Sequence, residues 1–216
     1  MVHLRRMQVL ICCMLLISGG CAATKTSFLY EKSIKNKPVA SKLTIAISFP
    51  KDERIPNKRV DRMWDNNLIM DIDRIIKEEI INTGLVKDIV SVDDNNNRIT
   101  LYSTVKELAW EVPNYDAMIR NTFLISVATG GLGGLAYGST DCDFYGKAKV
   151  LLLLTDKESK NNILEKEYYY RAEEKIIKLK ADSTNERARI IGIAFKHVMD
   201  QFKADLEKIL YEGKYL

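Results

Sequence analysis

Residues 146–177 read GKAKVLLLLTDKESKNNILEKEYYYRAEEKII, and their pattern decides the fold class. Gly146 to Thr155 is a short apolar run of strand length, Asp156 to Lys160 is a polar turn, and Asn161 to Ile177 reads as the antiparallel partner. Successive strand residues point to opposite faces, so at most two of Tyr168, Tyr169 and Tyr170 share a side. Tyrosines spanning the edge of a core account for them; an aromatic surface for peptide or glycan is the alternative.

C-terminal to this hairpin, Ile191, Ala194, Phe195, Val198, Phe202, Leu206 and Ile209 form one apolar stripe at helical spacing. Ser183 and Glu186 have the spacing of a capping box at its start, and Gly213 is placed to close it. N-terminal to the hairpin, Leu43 to Phe49 (LTIAISF) predicts a strand that stops at Pro50. Val60, Trp64, Leu68, Ile72, Ile75, Ile76 and Ile80 predict a second amphipathic helix ending near Gly84. A strand over Leu85 to Val92, a turn at Asp93 to Asn97 and a strand from Ile99 through Val105 come next. In the last of these, Ile99, Leu101, Ser103 and Val105 share a face. The element order implies a two-layer α/β (α+β) sandwich: a mostly antiparallel sheet with two long amphipathic helices on one face.

Phe123 to Tyr137 (FLISVATGGLGGLAY) is apolar and glycine-rich. The simpler reading is a buried strand or helix joined to a tight glycine turn, or a loop covering the core. The functional reading is a segment that enters a membrane or contacts a partner, through Phe123, Leu124, Gly130, Gly131, Gly133, Gly134 and Tyr137. Gly130 and Gly134 have the spacing of close-packed helices. Fifteen residues, bounded by Arg120 and Asp141, are short for a span, which needs about 20. Gly131 to Ala136 also fits G-x-G-x-x-A, but it runs into Gly138-Ser139-Thr140 and a strand, not the helix that dinucleotide binding requires.

The first twenty residues differ in kind from the rest. Arg5 and Arg6 precede an apolar run, Met7 to Ile17, which gives way to Ser18, Gly19 and Gly20, with no acidic residue before Cys21. A basic flank, a short apolar core and small residues make a secretory signal. The plainer alternatives are an uncleaved membrane anchor or an ordinary signal with Cys21 as an incidental thiol. Ile17-Ser18-Gly19-Gly20-Cys21 resembles the lipobox of bacterial lipoproteins, with Ser18 where Leu is commoner. The resemblance implies cleavage before Cys21 and lipid on its thiol and amino group, palmitate among the acyl chains, so that the membrane is a partner through Cys21. Two or three chains hold a protein stably, at about 0.8 kcal/mol per buried methylene. By the same resemblance, Ala22 after the cysteine implies delivery to the outer membrane, facing the periplasm.

The organisation expected is therefore a signal peptide over 1–20, a flexible tether over 21–41 (AATKTSFLYEKSIKNKPVAS after the cysteine) and a single globular periplasmic domain over 42–216. Only Cys142 remains for the domain, which excludes an internal disulfide there. Removing Arg5 and Arg6 takes the formal charge from +4 to +2, a balance that argues for neither a nucleic-acid partner nor a strong electrostatic membrane patch.

Catalytic groups are sparse. His197 is the one histidine after the signal and makes no zinc site with its sequence neighbours; Cys142 and His197 would pair only if the fold joined them. Asp71 with Asp73, and Asp93 with Asp94, read as solvated carboxylates. The second pair lacks the glycine and distal glutamate of a calcium loop. No cofactor and no enzyme activity are expected. In architecture only, residues 42–212 resemble small envelope lipoproteins that assist other machines. That resemblance implies a noncatalytic binding or assembly factor with an envelope protein, or another copy of itself, as partner. The second reading is a self-assembling membrane component that inserts or oligomerises through residues 123–137.

Overall fold

The computed structural model describes residues 29–32, 43–55, 67–94, 97–181 and 183–212. The signal, Cys21, most of the expected tether, Val60, Trp64 and Gly213 lie outside them.

Two long strands dominate. β5 (Asp141–Asp156) pairs antiparallel with β6 (Asn162–Ile177) from Asp141↔Ile177 to Thr155↔Asn162. Along β5 the even-numbered Phe144, Ala148, Val150, Leu152 and Leu154 are buried, while Lys147 and Lys149 face outward. The turn between the strands is held by the Asp156 carboxylate, which accepts from the N–H of Glu158 (2.9 Å) and Ser159 (3.4 Å).

β4 (Ile99–Glu111) lies on the other side of β5 and also runs antiparallel to it. It is longer than its alternation indicates, because a bulge between Val105 and Glu107 changes which residues point inward. Before the bulge Ile99, Leu101, Ser103 and Val105 are buried; after it Leu108 and Trp110 are. β5 likewise begins at Asp141, before the apolar run at Gly146.

The short strands β1 (Thr44–Ile47), β2 (Lys51–Asp52) and β3 (Asp88–Val90) complete a six-stranded sheet. β3-β1-β4-β5-β6 form its path, and β2 sits beside β4. β1 is parallel to both β3 and β4, and β2 is parallel to β4, so the sheet is mixed; its long ladders are the antiparallel ones. The parallel β1 to β3 connection runs through helix α1 (Asn67–Asn82), because such a connection needs a crossover.

α1 buries Leu68, Ile72, Ile75, Ile76 and Ile80. Two helices, α2 (Tyr115–Ala128) and α3 (Leu132–Gly138), lie between β4 and β5, and a single turn, α4 (Lys178–Ala181), comes after β6. The long C-terminal helix is α5 (Thr184–Glu212), with Ser183 at its N-terminal boundary. Ile191, Ala194, Phe195, Val198, Phe202 and Leu206 of its stripe are fully buried, each large side chain contributing about 1.5–3 kcal/mol. Phe202 meets Tyr168 of β6 edge to face, with ring centroids 5.9 Å apart. Gly146 lets β5 touch the helix backbone: a Cβ there would lie 2.2 Å from the Ile190 carbonyl oxygen. α1 and α5 share one core with the sheet and are joined by a 2.6 Å ion pair from Lys203 to the buried Glu79.

The three consecutive tyrosines divide as strand geometry requires. Tyr168 is buried, Tyr169 is exposed, and Tyr170 stacks on His197 of α5 at 4.1 Å.

Candidate functional site

The segment between β4 and β5 is a helical hairpin, α2 and α3, joined through Thr129, Gly130 and Gly131. Both glycines have positive φ, 63° and 101°, the conformation that reverses the chain tightly without side-chain strain. The foot of the hairpin is firmly seated. The Tyr115 ring lies edge-on to Trp110 at 5.1 Å, and its hydroxyl accepts from Arg187 Nη2 at 2.7 Å, while the Arg187 guanidinium covers the Trp110 ring at 4.0 Å. Met118 is the buried side chain of α2.

Beyond Met118 the hairpin leaves the domain. Phe123, Leu124, Val127, Leu132 and Leu135 are all exposed, Leu132 by 77% and Val127 by 68%. The segment is thus helical, but Phe123, Leu124, Val127, Leu132 and Leu135 do not join the core as the simpler reading expects, whereas Tyr137 packs against it. The β4–β5 ladder ends at Glu111↔Tyr145, and past that point only the β5–β6 pairing continues, to Asp141↔Ile177.

The glycines serve contact between the two helices. A Cβ on Gly134 would lie 1.6 Å from Ser126 Oγ, and one on Gly133 would lie 2.6 Å from Thr129 Oγ1. Thr129 Oγ1 donates to the Ile125 carbonyl (2.6 Å) and accepts from Gly133 N–H (2.7 Å). Thr122, Ser139 and Thr140 also donate to carbonyls of the hairpin itself, those of Met118, Ala136 and Tyr137. Tyr137 sits near the foot, with Lys178 Nζ 3.7 Å from its ring centroid. The seven residues singled out in the sequence therefore fall into three places. Phe123 and Leu124 are on the exposed part of α2, Gly130 and Gly131 are in the turn, and Gly133, Gly134 and Tyr137 are on α3.

A second feature has no counterpart among the sequence expectations. Leu29–Lys32, in the middle of the expected tether, lie across α5 at Gly192, where a Cβ would come within 1.8 Å of the Leu29 carbonyl oxygen. Tyr30 packs edge-on to Phe195 at 5.9 Å, and Lys32 pairs with Glu78 of α1 at 2.8 Å. Burial and the nearby Glu79 carboxylate push the Tyr30 hydroxyl well above its ordinary range. Beside this segment is a groove of about 550 Å³, lined by Arg189, Ile193, Lys196, His197 and Asp200 among others. A glycine interrupting the α5 pattern at 192 is the one signal of it in the sequence.

The candidate catalytic residues do not converge. Cys142 pairs with Ile176, whereas His197 stacks on Tyr170, which pairs with Ala148; six residues of strand separate the positions by about 20 Å. Burial pushes the Cys142 thiol up, with Asp143 and Asp141 acting in the same direction against Lys178. Asp71 is engaged by Arg74 at 2.9 Å and Asp73 by Lys77 at 2.7 Å. Asp93 and Asp94 come after β3 in a turn closed from Asp94 N–H to the Ser91 carbonyl. Among the described residues no three His, Cys, Asp or Glu side chains gather as a metal site, and no helix is long and apolar enough to cross a membrane. Gly131–Ala136 opens α3, but α2 and not a strand precedes it, so the G-x-G-x-x-A pattern lacks its βαβ setting.

No family model and no curated protein matches the sequence. Among solved structures, the chain is similar to a Xanthomonas campestris protein of family DUF330, at 8% identity and TM-score 0.47, covering 86% of this chain and 95% of that one. A Helicobacter pylori homolog of a neuraminyllactose-binding hemagglutinin is 13% identical with TM-score 0.46, over 89% of this chain and 100% of that one. The Neisseria meningitidis lipoprotein GNA1162 is 11% identical with TM-score 0.30, over 74% and 97%. At these scores the likenesses carry no functional argument.

Proposed function

We propose that the protein is a lipoprotein of the bacterial cell envelope, anchored by lipid on Cys21 to the outer membrane and facing the periplasm, that acts as a noncatalytic binding or assembly factor. The observation that carries this reading is the sequence before Cys21: a basic flank, the apolar run Met7 to Ile17, and Ser18-Gly19-Gly20 directly before the cysteine. The noncatalytic part is supported by how the reactive groups are spent: Cys142 has a raised thiol pKa, His197 is stacked on Tyr170, and Asp71 and Asp73 are in ion pairs.

Intact mass of the membrane-extracted protein from a Gram-negative host tests the anchor. The expected wild-type mass is a chain beginning at Cys21 plus diacylglyceryl and acyl groups, with Cys21→Ala losing them; an uncleaved or lipid-free wild type overturns the reading. Cys142→Ser and His197→Gln chains are expected to complement a deletion strain as well as wild type does, whereas an enzyme built on either residue loses complementation.

A second reading, a membrane component that inserts or self-associates through residues 123–137, is favoured by one observation: the apolar side chains of that hairpin are displayed to the outside.

A further inference from the structure

The hairpin is an insertion that the fold does not need. β4 and β5 are adjacent antiparallel strands, which a two-residue turn can join, yet residues 112–140 intervene. No charged residue occurs between Arg120 and Asp141. Around α2 the apolar residues Met118, Ile119, Phe123, Leu124, Ile125 and Val127 occupy every side of the helix. Such a helix belongs in a protein core or in lipid, and this one extends away from the core.

We propose that the α2–α3 hairpin dips into the same membrane leaflet that holds the Cys21 lipid, giving the protein a second, protein-borne contact with the bilayer. This rests on the lipoprotein reading for the position of the membrane. Three observations favour lipid over another occupant. First, the depth fits: the uncharged part of α2, from Asn121 to Ala128, is about 12 Å long. One leaflet contributes about 15 Å of hydrocarbon, enough to receive the hairpin but not to be spanned by it. Second, four of the hairpin's hydroxyls suit a waterless setting. Thr122, Thr129, Ser139 and Thr140 donate to carbonyls within the hairpin, and Thr129 also accepts from Gly133 N–H, so these hydroxyls need no water.

Third, the chain leading to the lipid ends in the right place. Leu29 is docked at Gly192, five residues along α5 from Arg187, which grips the hairpin foot at Tyr115. That is about 7.5 Å along the helix axis. The eight residues from Cys21 to Leu29 reach at most about 28 Å. The lipid therefore lies within about 28 Å of Leu29, a range that includes the hairpin foot. At that foot Lys178 covers the Tyr137 ring and Arg120 is exposed, an aromatic and basic pairing suited to the headgroup layer. Asp116, Asp141 and Asp143 lie on the domain side of the uncharged stretch.

The test uses the full chain carrying Cys142→Ser, with Val127→Cys, Leu132→Cys or, as a control at the β5–β6 turn, Glu158→Cys. Each is labelled with an environment-sensitive dye and reconstituted in phosphatidylethanolamine and phosphatidylglycerol vesicles, with its intact mass recorded. The expected result is blue-shifted emission at 127 and 132, quenched several-fold by lipids carrying a nitroxide on the acyl chain, with neither effect at 158. Water-like emission at 127 and 132 overturns the proposal. Blue-shifted emission without nitroxide quenching, with unlabelled Val127→Cys chains cross-linking to one another through that thiol, assigns the surface to a second copy and also overturns it. A lipid-free mass sinks the lipoprotein reading by itself, and the same dye measurement with Cys12, Cys13 and Cys21 also changed to Ser then decides whether the hairpin enters lipid.

Discussion

α5 and α2 are both helices rich in large apolar residues, and they meet opposite fates. On α5 the apolar residues keep to one stripe, which lies on the sheet with Phe195, Val198, Phe202 and Leu206 at zero exposure. On α2 they surround the helix, and Phe123, Leu124 and Val127 stand in the open. Apolar composition alone does not decide burial. The difference lies in what each helix is opposite: α5 runs over β4, β5 and β6, whereas α2 begins where the β4–β5 ladder has ended. One helix builds the domain and the other is displayed by it.

This comparison can be broken most directly on the α5 side. Phe202→Ala removes a ring packed on Tyr168 and is expected to lower the unfolding free energy by about 3–5 kcal/mol, read from urea melts. A loss below about 1 kcal/mol would mean that the α5 face is not the core.

Gly192→Ala places a methyl group on the Leu29 carbonyl and is expected to cost about 1–3 kcal/mol, with faster proteolysis near Tyr30. Unchanged stability and protease resistance would show that Leu29–Lys32 are not held on α5 in solution.

Asp205 gives a smaller effect with a defined pH dependence. The Lys166 ammonium (2.7 Å) and the Tyr168 hydroxyl (2.7 Å) hold its carboxyl below the usual carboxylate range. The folded protein therefore binds this proton less readily than the unfolded chain does. Its stabilisation is fully present above the unfolded carboxylate pKa, about 3.9, and is lost as pH falls through the lower folded value. Asp205→Asn is expected to lower stability at neutral pH by about 1 kcal/mol and to flatten the decline below about pH 5. An unchanged acid limb would remove Asp205 from the account.

The smallest effect belongs to the hairpin. Val127→Ser is expected to change the unfolding free energy of detergent-free protein by less than about 0.5 kcal/mol, because the side chain touches little. A loss of several times that size would place Val127 against a protein surface and sharpen the comparison in favour of self-association.

Much of the fold was written locally. The β5–β6 pairing was legible from a run of strand length, a polar turn and its partner, and α5 from its stripe, because a single buried face imposes its period on the residues. β4 was legible only as far as the bulge after Val105, since one unpaired residue shifts the alternation on which the reading depends. The start of β5 was hidden because Asp141, Cys142 and Asp143 have no strand-like pattern; they are in the sheet because Ile177, Ile176 and Lys175 lie opposite. The β1 pairings with β3 and β4 were illegible too, being parallel contacts between segments far apart in the chain.

By itself the sequence determined the two-layer class, the helix faces and the lipobox-like run ending at Cys21, all of which depend on residues close together along the chain. It also marked residues 123–137 as unusual, but left their exposure open, since the same apolar letters suit a core and a bilayer. Only the tertiary structure decided that, together with the separation of Cys142 from His197 and the docking of Leu29–Lys32 at Gly192. Each of these depends on which surfaces remain after the sheet and its helices have packed, and no local pattern records that remainder.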